Sequence, residues 1–289
     1  MTGVPLASLP RVWLGPGTCT DAAAVARLPG ADGLLVPVGP VTPGAPLRRT
    51  GATRVHGAGV GGVEHDDARG TGVATAADDL VRARTAGLRA CLCVRAERPE
   101  DVAAAVEALL RHPDGDVVAA VEVDLRGRGE QVVLRIAARV REVLGRSVPL
   151  LVKVLAVDPQ LVAVARSAVA GGAGGVVVAG QVPLAGGRWW TGPSTAAVTR
   201  SGLRTLRAAA ADHRWPGAVL VGAGGVHSVV TARAAVADGA SAVQLGTALW
   251  ADPTLLPALR TALADRPPGD PDPDPDPDPD PRPPTRSTP

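Results

Sequence analysis

Residues 219–226 read Val219-Leu220-Val221-Gly222-Ala223-Gly224-Gly225-Val226, and residues 242–248 read Ala242-Val243-Gln244-Leu245-Gly246-Thr247-Ala248. Each is an apolar run of strand length that stops at glycine and passes into helix-forming sequence. Ser228 stands where it can cap the first of those helices. Glycines let backbone N–H groups approach an anion, and a helix N-terminus favours negative charge there. Thr247 adds a hydroxyl donor. One such turn is commonplace. Two on consecutive strands near the end of the chain point to a phosphate held by strands seven and eight of a barrel.

Working outward, six more apolar runs precede these two: Val12–Gly15, Gly33–Val38, Leu88–Arg95, Val117–Leu125, Val148–Val157 and Gly174–Gly180. Their nearly continuous Val, Leu and Ala content fits strands buried on both faces of a parallel sheet. Helical stretches rich in Ala, Leu and Arg separate them, from Ala22–Arg27 to Pro253–Ala264. Asp158-Pro159 and Asp252-Pro253 look like capping residues followed by a proline at the first helical position. Gly171-Gly172 and Gly239 read as helix stops. Eight βα units in about 250 residues predict a single α/β domain, a (β/α)₈ TIM barrel over residues 1–265. An open doubly wound sheet would want a glycine fingerprint after its first strand, and Gly15-Pro16-Gly17 is a poor one. Residues 39–75 and 181–193 are long for loops of this kind and follow strands, which places them at the active face. Residues 266–289 carry Pro-Asp repeats and are expected to form a disordered acidic tail.

Composition narrows the function classes. The chain has 29 Arg but a single Lys, Lys153, a single Ile, and no Phe, Tyr or Asn, a skew that reads as a G+C-rich genome. Net charge is +2, with −3 on the tail and therefore +5 on the rest. The arginines are scattered and no stacking aromatics accompany them, so no nucleic-acid partner is expected. No signal peptide or membrane-length apolar run is present, and a cytoplasmic protein with no membrane partner is expected. Three cysteines, Cys19, Cys91 and Cys93, make neither a disulfide framework nor a zinc pattern, and no metal is expected. Cys91 and Cys93 share one face of a strand and read as small buried residues.

Against this background Lys153 stands out. It lies within Leu150-Leu151-Val152-Lys153-Val154, where an ammonium needs a charged or hydrogen-bonded partner. A compact point charge in the barrel mouth explains why lysine stands here in a chain that otherwise uses arginine. Glu122 and Asp124 alternate at the end of strand four and share a face. They read either as substrate-binding carboxylates or as partners of Arg126 and Arg128. His56 lies in the long segment after strand two and is a candidate for facing a ligand. His227 follows the glycines and reads as a solvated turn residue. The motifs of zinc proteases and serine hydrolases are missing.

At these residues the chain resembles the short, soluble type of dihydroorotate dehydrogenase, over about residues 4–262. The resemblance is strongest in Val221–Val226 with Asp238–Ala248. It extends to Val121–Leu125, Pro149–Lys153, Val41–Arg49 and the glycines from Gly186 to Gly192. It implies an FMN-binding barrel that oxidises a dihydropyrimidine in pyrimidine biosynthesis. It implies flavin phosphate on Gly224, Gly225, Gly246 and Thr247, flavin lined by Gly17, Thr18 and Gly192, and Lys153 beside the ring's N1 and C2 carbonyl. The family's Cys or Ser base falls at or near Gly127, and its asparagines fall at His56, Gly62, Asp124, Gly129 and Gly180. A second family lysine falls at Val38 or Gly39. The cofactor half therefore reads as retained and the substrate half as rebuilt, at a cost in recognition of several kcal/mol for a polar ring.

The expectation is an FMN-dependent oxidoreductase with an altered small-molecule substrate, with Lys153, Asp124 and His56 as the catalytic candidates and a homodimer as the candidate assembly. Two rivals are a non-catalytic FMN- or phosphate-binding homologue acting as a subunit or regulator, and a flavin-free barrel enzyme acting on a phosphorylated sugar.

Overall fold

A computed structural model describes residues 9–16, 22–28, 30–42, 53–56, 62–66, 71–95, 97–212 and 218–264. The Pro-Asp repeats, Gly17, Thr18 and Cys19 lie outside the described residues. Eight parallel strands form the centre: β1 (Val12–Leu14), β2 (Leu35–Val41), β5 (Arg89–Val94), β6 (Val118–Asp124), β7 (Leu150–Leu155), β8 (Gly175–Ala179), β11 (Val219–Ala223) and β12 (Ala242–Leu245). Their order around the sheet is β1-β12-β11-β8-β7-β6-β5-β2. The two ends, β1 and β2, lie side by side, so the sheet curls into a nearly closed barrel. Each of the eight apolar runs expected from sequence supplies one of these strands.

Helices pack outside: α1 (Ala22–Ala26), α2 (Val73–Thr85), α3 (Pro99–Leu110), α4 (Glu130–Leu144), α5 (Leu161–Ala170), α6 (Ala196–Ala211), α7 (Val229–Ala237), α8 (Ala248–Ala251) and α9 (Leu255–Ala264). In α4 the buried side chains are Val133, Ile136, Ala137, Val140 and Leu144, the three-and-four spacing that lays one stripe of a helix on a sheet. Ser228 caps α7, accepting from the Thr231 N–H, while Thr231 Oγ1 accepts from the Ser228 N–H in return. Gly172 (φ 94°) and Gly239 (φ 115°) follow the ends of α5 and α7 in a conformation that favours glycine. The two Asp-Pro signals mark turns just ahead of the helices, not their caps. Asp158 accepts from the Gln160 N–H and Asp252 from the Thr254 N–H, and α5 and α9 begin at Leu161 and Leu255.

The two long segments after β2 and β8 hold more order than loops. Each contributes two strands to a four-stranded antiparallel sheet, in the order β3-β4-β10-β9: β3 (Thr53–His56), β4 (Gly62–Asp66), β10 (Arg188–Thr191) and β9 (Val182–Leu184). Arg188 pairs with Asp66 and Thr191 with Val63, so chain segments more than a hundred residues apart are stitched together beside the barrel mouth. Among the described residues no helix is long and apolar enough to cross a membrane.

Candidate functional site

Strands buried on both faces leave little room for polar side chains, and the few found inside the barrel are organised. Trp13 and Gln244 are register partners on β1 and β12, and Cys93 is the partner of Glu122 on β5 and β6. Glu122 is fully buried, yet its carboxylate is matched on two sides. Lys153 Nζ lies 2.6 Å from Oε1, and Gln244 Nε2 donates to Oε2 from the opposite wall. Lys153 has the partner its apolar surroundings demand, and that partner is Glu122. The Cys91 and Cys93 sulfurs and a Glu122 oxygen lie within 4.8 Å of one another. The contact with Cys91 and burial push the Cys93 thiol well above its ordinary pKa, so it packs as a neutral group.

Above this layer, at the C-terminal ends of the strands, lies a cavity of about 540 Å³, counting the part open to solvent. Gly224 and Gly225 from the loop after β11, Gly246 and Thr247 from the loop after β12, Gly192 after β10, and Lys153 all line it. Gly15 and Pro16 line it from the end of β1. Among the described residues its ionisable lining side chains are those of Lys153 and His227, and no carboxylate lines it. Such a wall suits an anion.

The loop after β11 turns its amides in a definite direction. The Gly180 N–H donates to Ala223 O at 2.8 Å, and the Thr199 hydroxyl to Gly224 O at 2.9 Å. In a trans peptide C=O and N–H point opposite ways. The Gly224 and Gly225 N–H groups therefore point away from α6, and no backbone acceptor among the described residues takes them. Glycine is required here. Gly225 has φ 72°, and a side chain on it would overlap the Ala196 backbone. His227 is exposed at the rim of the cavity, with Nδ1 2.7 Å from Gly225 O. Its apposition to that carbonyl depends on the fold of the loop, which a reading as a free turn residue does not include.

The side of the mouth above β5 and β6 is built differently. Asp124 accepts from Arg95 Nε at 3.0 Å and also from Arg95 Nη2. It takes Arg126 Nε at 2.8 Å, Nη2 at 2.7 Å and the Arg126 backbone N–H at 3.3 Å. Burial alone would raise its pKa, but the guanidiniums of Arg126 and Arg95, with Lys153, hold it well below the usual carboxylate range. A carboxylate so engaged is an anchor for two cations and a poor proton acceptor. Its partners are Arg126 and Arg95, while Arg128 pairs with Glu97. The Arg126 guanidinium also sits 4.5 Å over the Trp189 ring and donates to Gln181 Oε1.

The position where the resemblance expects a base, Gly127, and three of those where it expects an asparagine, Gly62, Gly129 and Gly180, are glycines. Gly127 (φ 72°) and Gly129 face open space. Gly180 has none to spare, since a side chain there would overlap the Thr199 hydroxyl. His56 ends β3 opposite Gly62, and its side chain lies outside the description.

No protein-family description matches the chain, and no curated protein matches it in sequence. Solved structures do match in shape. Dihydroorotate dehydrogenase from Eimeria tenella in complex with ferulenol superposes with a TM-score of 0.64 at 12% identity, covering 88% of this chain and 80% of that one. The ligand-free form of the Eimeria tenella enzyme gives a TM-score of 0.67 at 14% identity, covering 91% and 86%. The fold is therefore that of dihydroorotate dehydrogenase structures, a (β/α)₈ barrel.

Proposed function

We propose that the protein is an FMN-dependent oxidoreductase of the dihydroorotate dehydrogenase type, acting on a dihydropyrimidine-like substrate through a rebuilt substrate site. The observation that carries this reading is the single cavity onto which both glycine loops and the chain's only lysine converge. The fit to FMN is chemical. A phosphate ester needs N–H donors, which the two loops offer. A ring bearing carbonyls and an N–H needs a cation and polar neighbours, which Lys153 and the buried, unpartnered Oε1 of Gln244 provide. Gly224, Gly225, Gly246 and Thr247 would hold the phosphate, Lys153 and Gln244 would face the ring, and Gly192 would line the cofactor. When bound, FMN supplies a hydride acceptor. The protein's own part is to orient the ring and to hold Lys153 Nζ in place against Glu122.

A second reading, a homologue that binds FMN without turning over, is favoured by one specific observation. Gly127 has no side chain to take a proton, and Asp124 beside it is saturated by arginines. Purification and rapid mixing distinguish the readings. Protein that purifies yellow, with flavin absorbance lost on mixing with dihydroorotate anaerobically, supports the enzyme. Yellow protein that dihydroorotate leaves oxidised supports a non-catalytic role or another substrate. Colourless protein that takes up no added FMN overturns both.

A further inference from the structure

Two glutamine amides line the cavity, and the chemistry of their partners fixes which end of each is offered to a ligand. A guanidinium has five N–H donors and no acceptor. Arg126 Nη1 donates to the Gln181 side chain, so the amide oxygen must face Arg126 and the amide N–H₂ must face away. Arg126 is itself held on every side. It makes two side-chain bonds to Asp124, lies over Trp189, and its side chain is only 7% exposed. Gln181 lies between β8 and β9, two residues past Ala179, and its amide nitrogen has no bond among the described residues. The same logic applies to Gln244. Its Nε2 donates to an ion-paired carboxylate, so Oε1 faces the other way, buried and unpartnered. A cavity lined by Gln181, Lys153 and Gln244 therefore presents amide N–H and ammonium donors together with one amide acceptor.

Building on the flavin reading, we propose that Gln181 determines which ring the site accepts, by donating its amide N–H to a ring carbonyl oxygen. Arg126 is the positioning residue that keeps the amide in that sense. The ligand class is a phosphate ester of a heterocycle bearing both a carbonyl and an N–H. A ring without a carbonyl leaves the Gln181 donor unmatched, and the desolvation of that donor counts against binding. Arg126 thereby links the ion-paired side of the mouth to the ligand it does not itself line.

Titrating the full chain, freed of flavin, with FMN tests this by fluorescence quenching, with flavin reduction potentials read on the complexes. Gln181→Leu is expected to weaken FMN about tenfold, the size of one lost hydrogen bond. Gln181→Glu should weaken it further and lower the reduction potential, because a carboxylate replaces the donor beside the ring. Arg126→Met should weaken FMN when Gln181 is present and have no further effect in the Gln181→Leu background. Gln181→Leu protein that binds FMN as tightly as the unaltered chain overturns the proposal. So does an Arg126→Met effect of equal size in both backgrounds, which marks a merely structural role. If Arg126→Met does not fold, the two Gln181 variants decide alone. Failure of the unaltered chain to take up FMN removes the flavin reading and this one with it, whereas uptake indifferent to Gln181 removes only this one.

Discussion

The two sides of the barrel mouth solve the problem of polarity in opposite ways. Over β11 the chain offers glycine backbone amides with no side chains attached, and the carbonyls of the same peptides are taken by the Gly180 N–H and the Thr199 hydroxyl. Over β5 and β6 it offers long charged side chains that satisfy one another, with Asp124 gripped by Arg95 and Arg126. The first arrangement is prepared for something from outside. The second is complete in itself. A ligand can enter the first without breaking a bond, whereas it can use Asp124 only by displacing an arginine. The difference teaches that the count of polar residues near a mouth says less about binding than the count of groups left unmatched.

The sharpest way to break the comparison lies beneath both sides. Lys153→Met leaves the Glu122 carboxylate buried without its cation and should cost about 3–5 kcal/mol, read as a fall in the urea midpoint at constant slope. Adding Glu122→Gln should restore most of that loss. A silent single variant means that Lys153 and Glu122 do not depend on each other. Next in size is Asp124→Asn, expected to cost about 3 kcal/mol while leaving anion retention intact, since the closed side does not hold the anion. Its pH signature has a definite sign. The folded pKa of Asp124 is depressed, so its contribution is present in full above the ordinary carboxylate value of about 4 and lost as pH falls below it. Acid unfolding of the Asn variant should accordingly be flatter below about pH 4 than that of the unaltered chain.

On the open side the expected effects are smaller in stability and larger in binding. Gly225→Ala forces a side chain into the Ala196 backbone at a positive φ and should cost about 2 kcal/mol in a thermal melt. It should also weaken retention of FMN or of inorganic phosphate, and normal retention would remove the loop from the anion site. Smallest is Ser228→Ala, worth about 1 kcal/mol through loss of the α7 cap. It should leave retention nearly unchanged, because the amides involved are those of the helix and not of the glycine loop.

Legibility in the sequence followed the range of the interactions. The barrel strands were readable because each is a local apolar run, and burial on both faces writes itself into every residue. The antiparallel sheet was not. Thr53–His56, Gly62–Asp66 and Arg188–Thr191 are short and lack a continuous apolar run, and the sheet is completed only when β4 pairs with β10, a segment remote in sequence. The convergence of the glycine loops follows from neighbouring strands and could be anticipated. That Lys153 needs a partner was readable from its apolar neighbours. That Glu122 is the partner, and that Gln244 reaches it from 122 residues away, was not. The engagement of Asp124 was open between two readings because exposed and buried carboxylates look alike in a sequence, and Arg95 arrives from another strand.

β6 and β12 stand diametrically opposed in the ring, yet the side chains of Glu122 and Gln244 meet in the middle. That contact acts as a crosspiece spanning the barrel at its full width. Spreading or narrowing the upper opening strains it, so occupants bound over opposite walls share one mechanical element.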